Sequence, residues 1–166
     1  MDHLTPAADL HLQRLGELID LTSFTSDHIA QIKQAFGLSD FIAGSAYKQP
    51  ELLAQCFDEG LFEQAERCDA IKAELALRLA ACQDETKLHT LLRQFRRKHM
   101  LIIAWRELLG KSDLSESLAH TSCLADELIS QSSLWLYQKQ CAEVGEPRNK
   151  EGVAQPFYIL AMGKLG

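Results

Sequence analysis

Residues 84–110 read DETKLHTLLRQFRRKHMLIIAWRELLG, and this stretch decides the fold. Asp84 and Glu85 open it, where the N–H groups of a starting helix favour acid. Gly110 closes it, where a helix end favours a left-handed residue. Between them Leu88, Leu91, Leu92, Phe95, Ile102, Trp105, Leu108 and Leu109 recur at helical spacing and make a broad apolar face. The spacing predicts one helix of about 26 residues, about 39 Å at 1.5 Å per residue. A second long helix is predicted from Asp113 to about Glu143, with Leu114, Leu118, Leu124, Leu128, Leu134 and Leu136 on its buried side. Only Gly110-Lys111-Ser112 separates the two, so they should pack antiparallel.

Upstream the chain reads as helix after helix. Leu4, Leu10, Leu12, Leu15, Leu18 and Ile19 mark the first. Ser26-Asp27 should cap a second that ends at Phe36-Gly37. Ser39 or Asp40 should cap a short third through Tyr47. Pro50 suits the first turn of a fourth, closed by Gly60. A fifth is predicted from about Phe62 to Cys82, with Ile71, Leu75, Leu79 and Cys82 on one stripe. No internal repeat holds.

Downstream the texture changes. Residues 145–156 form a polar loop rich in turn residues. Phe157-Tyr158-Ile159-Leu160-Ala161-Met162 then reads as a buried strand, and Gly163-Lys164-Leu165-Gly166 follows. A lone strand leaves both edges unpaired and is not stable by itself. The expected organisation is a helical region over 1–144, a loop over 145–156, and the first strand and Gly turn of a further domain over 157–166. The sequence is thus expected to be a fragment, cut just inside that domain.

Bulk properties fit a folded, mainly α chain. Apolar residues make up 46 % and charged residues 24 %, enough apolar material for a core. The net charge of −6 argues against a nucleic-acid-binding domain. Five cysteines, at 56, 68, 82, 123 and 141, form no CxxC pair, and the six histidines form no HxxxH or HxH pair. A metal site built from them is not indicated, and the thiols are expected to be reduced core residues of a cytoplasmic protein. The N-terminus lacks the apolar core of a signal peptide, and no run approaches a membrane span.

Two stretches carry a family resemblance. One is Arg93-Gln94-Phe95-Arg96-Arg97-Lys98-His99-Met100-Leu101-Ile102-Ile103-Ala104-Trp105-Arg106-Glu107-Leu108-Leu109-Gly110; the other is Ile159-Leu160-Ala161-Met162-Gly163-Lys164-Leu165-Gly166. Together they resemble the N-terminal half of the glutamine synthetase adenylyltransferase family. There a basic helix ending in A-W-R-[DE]-L-L-G precedes a strand ending in G-M-G-K-L-G-G. Ala161 stands where the family usually has the first Gly. Ser39-Asp40-Phe41-Ile42-Ala43 and Pro50-Glu51-Leu52-Leu53 fit its early helices, so the resemblance spans about residues 35–166.

The resemblance implies a truncated α/β nucleotidyltransferase domain after the helices. In that superfold a strand leads into a Gly-containing turn whose N–H groups favour phosphate oxygens. Gly163, Lys164 and Gly166 occupy that place and are the candidate nucleotide- and phosphate-binding residues. An Asp-x-Asp pair that holds Mg²⁺ follows in the family about a dozen residues later, past Gly166, so no catalytic or metal-binding residue is assigned here. The implied whole is a bifunctional enzyme that removes AMP from a tyrosine of glutamine synthetase by phosphorolysis, releasing ADP, and adds it from ATP. PII signal protein and glutamine regulate both reactions. The position of the A-W-R-E-L-L-G helix assigns this piece to the removing half, and the fragment by itself is expected to be inactive. Two other readings stay open: a helical interaction module without catalysis, and another nucleotidyltransferase such as a PII uridylyltransferase.

Two features have competing roles. Arg93, Arg96, Arg97, Lys98, His99 and Arg106 form a basic cluster, which reads either as charge paired with neighbouring acids and water or as a docking patch for phosphate or an acidic surface. Trp105, among apolar neighbours, reads as core rather than a stacking platform.

Overall fold

The computed structural model describes residues 5–65 and 67–160. Seven α-helices are found among them: α1 Thr5–Gly16, α2 Ser26–Leu38, α3 Asp40–Lys48, α4 Pro50–Asp58, α5 Cys68–Ala80, α6 Glu85–Leu108 and α7 Leu114–Val144. The mainly α expectation holds, and no paired strand occurs among the described residues. The chain divides into two compact units, Met1–Arg67 with Phe95–Thr121 and Cys68–Gln94 with Ser122–Gly166.

The first unit contains α1 to α4, the second part of α6 and the start of α7. Leu15, Ile32, Phe36, Ile42, Leu53, Phe62, Leu101, Ile102 and Trp105 are buried in its core. Local chemistry sets the helix starts. The Thr25 hydroxyl accepts from His28 N at 3.2 Å, so the cap of α2 is Thr25 and not Ser26. Gly37 does not end that helix, which runs on to Leu38. Ser39 caps α3, Pro50 sits in the first turn of α4, and Gly60 follows α4 at φ +66°.

The expected fifth helix starts six residues late. Phe62 lies in the turn after α4 rather than on α5, and its ring stacks on Trp105 with centroids 4.3 Å apart and planes at 12°. A helix starting at Phe62 would give up this buried contact, so packing overrides the local apolar pattern. Ile71, Leu75 and Leu79 are buried on α5 as expected, but the helix ends at Ala80, so Cys82 lies past it and is half-buried.

α6 follows the sequence closely. Asp84 accepts from Lys87 N at 2.8 Å at its start, and Gly110 takes φ +69° just past its end. Leu88, Phe95, Ile102 and Trp105 are buried, whereas Leu108 is exposed. The C-terminal end of α6 and the start of α7 run in opposite directions in the first unit, where Arg106 meets Glu116 and His99 meets His120. In the second unit Lys139 of α7 reaches Glu85 of α6, again as opposed chains require.

The buried side expected for α7 is corrected. Leu124 is buried and Leu128 half-buried, but Leu114, Leu118, Leu134 and Leu136 are exposed. At about 100° per residue, Leu134 lies about 80° around the helix from Leu124 and Leu136 about 120°. These leucines therefore do not share one stripe, and the helix buries only the part of its surface around Leu124.

The cysteine expectation is also corrected. Cys68, the first residue of α5, and Cys123 of α7 are joined by a disulfide. Cys56 is buried in the first unit, while Cys82 and Cys141 are half-buried thiols.

Candidate functional site

Gly163, Lys164 and Gly166 lie outside the described residues, as do Ala161 and Met162 of the expected strand. Phe157 to Leu160 lie within them and form neither helix nor paired strand. The chain reaches them through a reverse turn. Asn149 N donates to Val153 O at 2.9 Å, Gln155 N donates to Pro147 O at 2.8 Å, and Gly152 takes φ +80°. Arg148 Nη1 fastens the turn by donating to Gly152 O at 2.7 Å. The Tyr137 hydroxyl of α7 donates to Gln155 O at 3.3 Å and holds the segment against the helix.

Between this segment and α7 runs a groove of about 660 Å³, lined by Ile129, Ser133, Leu134, Tyr137, Phe157 and Ile159 among others. Its floor is largely apolar, and Phe157, Tyr158 and Leu160 are more than 60 % exposed. Burial pushes the Tyr137 hydroxyl above its ordinary pKa, with the neighbouring Cys141 acting in the same direction. The hydroxyl therefore stays a neutral donor through the physiological range.

The basic cluster splits. Arg93 and Arg96 are exposed and Arg97 half-buried, and no ion pair is found for any of the three among the described residues. Arg93 and Arg96 thus fit the part of the expectation that has the charge facing water. Lys98, His99 and Arg106 are buried. His120 Nε2 and His99 Nδ1 lie 3.4 Å apart in the first unit.

Arg106, the arginine of the A-W-R-E-L-L-G stretch, is 3 % exposed. Its Nε and Nη2 donate to Glu116 Oε1 at 3.0 and 2.8 Å. Nη1 donates to the Phe62 carbonyl at 3.0 Å and Nη2 also donates to the Lys111 carbonyl at 2.9 Å. The guanidinium thus joins the turn after α4, the turn after α6 and the first turn of α7. Lys111 extends the cluster through Gln31, at 2.8 Å, and Glu63. Glu107 and Leu108 beside it are exposed, so the motif buries Trp105 and Arg106 and turns the next residues outward. The expected pairing with an acid of a neighbouring helix is met at Arg106, by Glu116 of α7.

No group of three or more His, Cys, Asp or Glu that could hold a metal ion occurs among the described residues. The described residues therefore do not fit a Mg²⁺ centre. They supply a helix junction gathered around buried Arg106 and a largely apolar groove between α7 and residues 156–160. Among them, no helix is long and apolar enough to cross a membrane.

The family model for glutamate-ammonia ligase adenylyltransferase matches residues 29–166. A bifunctional glutamine synthetase adenylyltransferase/adenylyl-removing enzyme of Psychromonas ingrahamii is 52 % identical over 166 residues, covering 100 % of this chain and 18 % of its own length. The enzymes of the same name from Vibrio parahaemolyticus and Shewanella loihica are 40 % and 38 % identical over 98 % and 96 % of the chain, each along 17 % of its own length. This chain spans less than one fifth of the curated relatives it matches. By the match over residues 29–166, the chain belongs to the glutamate-ammonia ligase adenylyltransferase family.

Proposed function

We propose that this chain is the N-terminal part of a bifunctional enzyme that removes AMP from a tyrosine of glutamine synthetase by phosphorolysis and adds it back from ATP. The observation that carries this reading is the family match over residues 29–166, joined by relatives that bear the bifunctional name along nearly the whole chain. Within that enzyme the chain serves the adenylyl-removing half. It supplies the helical lead-in, and residues 157–162 supply the first strand of an α/β nucleotidyltransferase domain. The exposed apolar run Phe157–Leu160 supports this, because such a run gains stability by pairing in a sheet and covering its faces.

Gly163, Lys164 and Gly166 then form the turn that receives phosphate oxygens, with backbone N–H groups as donors and Lys164 as a cation. The Mg²⁺ ligands lie in another part of the protein. ATP, ADP, phosphate, glutamine synthetase and PII signal protein are its partners, and the enzyme works in the cytoplasm.

The test uses the full-length protein with adenylylated glutamine synthetase, phosphate and Mg²⁺. ADP release that Lys164→Ala lowers at least about tenfold supports the reading. Residues 1–166 alone are expected to release none. No ADP from the full-length protein, or full activity from residues 1–166, would overturn it.

A further inference from the structure

The Cys68–Cys123 bond lies wholly within the second unit and ties the first residue of α5 to α7 across 55 residues of sequence. Its two Cα atoms are 5.9 Å apart, a separation that a disulfide spans without backbone movement. The two sulfurs differ in surroundings: Cys68 is exposed and Cys123 half-buried. Cys68 is therefore the more accessible of the two to an attacking thiolate. The bond also sits where α5 is least embedded. Ile71, Leu75 and Leu79 are buried further along, whereas Asp69 and Ala70 next to Cys68 are exposed.

Noncovalent ties between α5 and α7 near this end include Gln131 Nε2 donating to Lys72 O at 3.0 Å and a loose Lys72–Glu127 pair at 3.9 Å. The ammonium of Lys72 is largely in solvent and the pair is long, so it contributes little.

We propose that Cys68 and Cys123 form a reversible thiol–disulfide site whose oxidation state sets whether the first turn of α5 stays docked on α7. Reduction proceeds by exchange. A glutathione thiolate attacks Cys68 Sγ, the S–S bond breaks, and Cys123 leaves as a thiolate that takes a proton from water. A second glutathione thiolate attacks the mixed disulfide and releases Cys68. One protein disulfide and two glutathione thiols become two protein thiols and one glutathione disulfide. Oxidation runs the same steps backwards, with glutathione disulfide as the oxidant. Buried Cys56 is poorly placed for this exchange, while Cys82 and Cys141 lie elsewhere on α5–α6 and α7 without a disulfide partner. The site is independent of the catalytic reading above.

The full-length protein equilibrated in glutathione buffers of graded ratio, then trapped with acid and an alkylating agent, tests this. Peptide mass spectrometry should find the 68–123 link rising with glutathione disulfide and disappearing with reduced glutathione. Amides of residues 71–74, the first in α5 with helical acceptors, should exchange at least about tenfold faster in the reduced protein. Cys68→Ser should show the fast exchange in every buffer. The proposal is overturned if both cysteines alkylate completely at every ratio, if the link resists reduced glutathione, or if exchange at 71–74 is the same with and without it.

Discussion

Arg106 gives both its Nε and its Nη2 to one oxygen of Glu116, at 3.0 and 2.8 Å, while Nη1 holds the carbonyl of Phe62. The arginine is buried, and the Glu116 side chain is about one-third exposed. A planar fork meets three acceptors on three separate segments, which a lysine cannot reproduce. Removing the guanidinium leaves two carbonyls and a carboxylate without it. Arg106→Ala should therefore cost about 3 kcal/mol, and Arg106→Lys should recover only part of that. A urea melt is the check, and a loss below about 1 kcal/mol for Arg106→Ala would show that the junction does not depend on this side chain.

Trp105 lies against the same turn. It is fully buried, stacked on Phe62 and edge-on to Phe57 at 5.3 Å. Its indole N–H meets no acceptor among the described residues, so its contribution is packing. Trp105→Ala should destabilise by about 3–5 kcal/mol. Trp105→Phe should cost much less, because it keeps the stack and removes an unpaired donor. Equal losses for the two variants in a denaturant melt would count against this account.

These two neighbours show what the sequence could and could not reveal. Trp105 belongs to the stripe Leu88, Phe95, Ile102, Trp105, whose spacing depends on α6 alone, so its burial was legible. Arg106 depends on Phe62 and Glu116, which lie 44 and 10 residues away, and no local pattern announces that meeting. The Cys68–Cys123 bond is hidden for the same reason. Phe62 was misplaced because an apolar residue near a helical stripe fits that stripe equally well until its partner is known. On α7 the leucines are spread around the helix, and counting them did not show which arc is covered. The candidate phosphate turn at Gly163 and Lys164 was legible only through its resemblance to a family, since a short Gly-Lys pair carries little by itself.

Two glycines should respond oppositely to the same change. Gly110 sits at φ +69° with open space where a Cβ would stand. Gly110→Ala meets no clash, yet it must adopt a left-handed conformation and should cost about 1 kcal/mol. Gly44 lies inside α3, also with open space and with ordinary helical backbone. Gly44→Ala should stabilise by about 0.5–1 kcal/mol, because alanine is the better helix former. Paired thermal melts decide this. A gain at Gly110 or a loss at Gly44 would contradict the assigned backbone conformations.

The last expectation concerns acid. The backbone N–H of Lys87 donates to Asp84 Oδ1 at 2.8 Å and holds the Asp84 carboxyl below its ordinary pKa; slight burial opposes this, and the Lys87 charge assists it. Because the folded value is depressed, the bond's contribution is fully present above the unfolded value of 3.8 and is lost as pH falls through the folded value. From neutral pH down to about pH 4 the start of α6 should be unaffected. Below that, protonation removes the charged acceptor and the first turn should loosen. Asp84→Asn keeps an oxygen that can accept from Lys87 N but cannot titrate. Its start of α6 should be slightly weaker than wild type at pH 7, and the difference should narrow as pH falls below 3.8. Asp84→Ala should be weaker than either at pH 7. Hydrogen exchange of the Lys87 and Leu88 amides, compared among the three proteins at pH 7 and near pH 3, separates this local effect from general acid unfolding. A wild-type advantage over Asp84→Asn that persists unchanged near pH 3 would show that the Asp84 charge is not what secures the helix start.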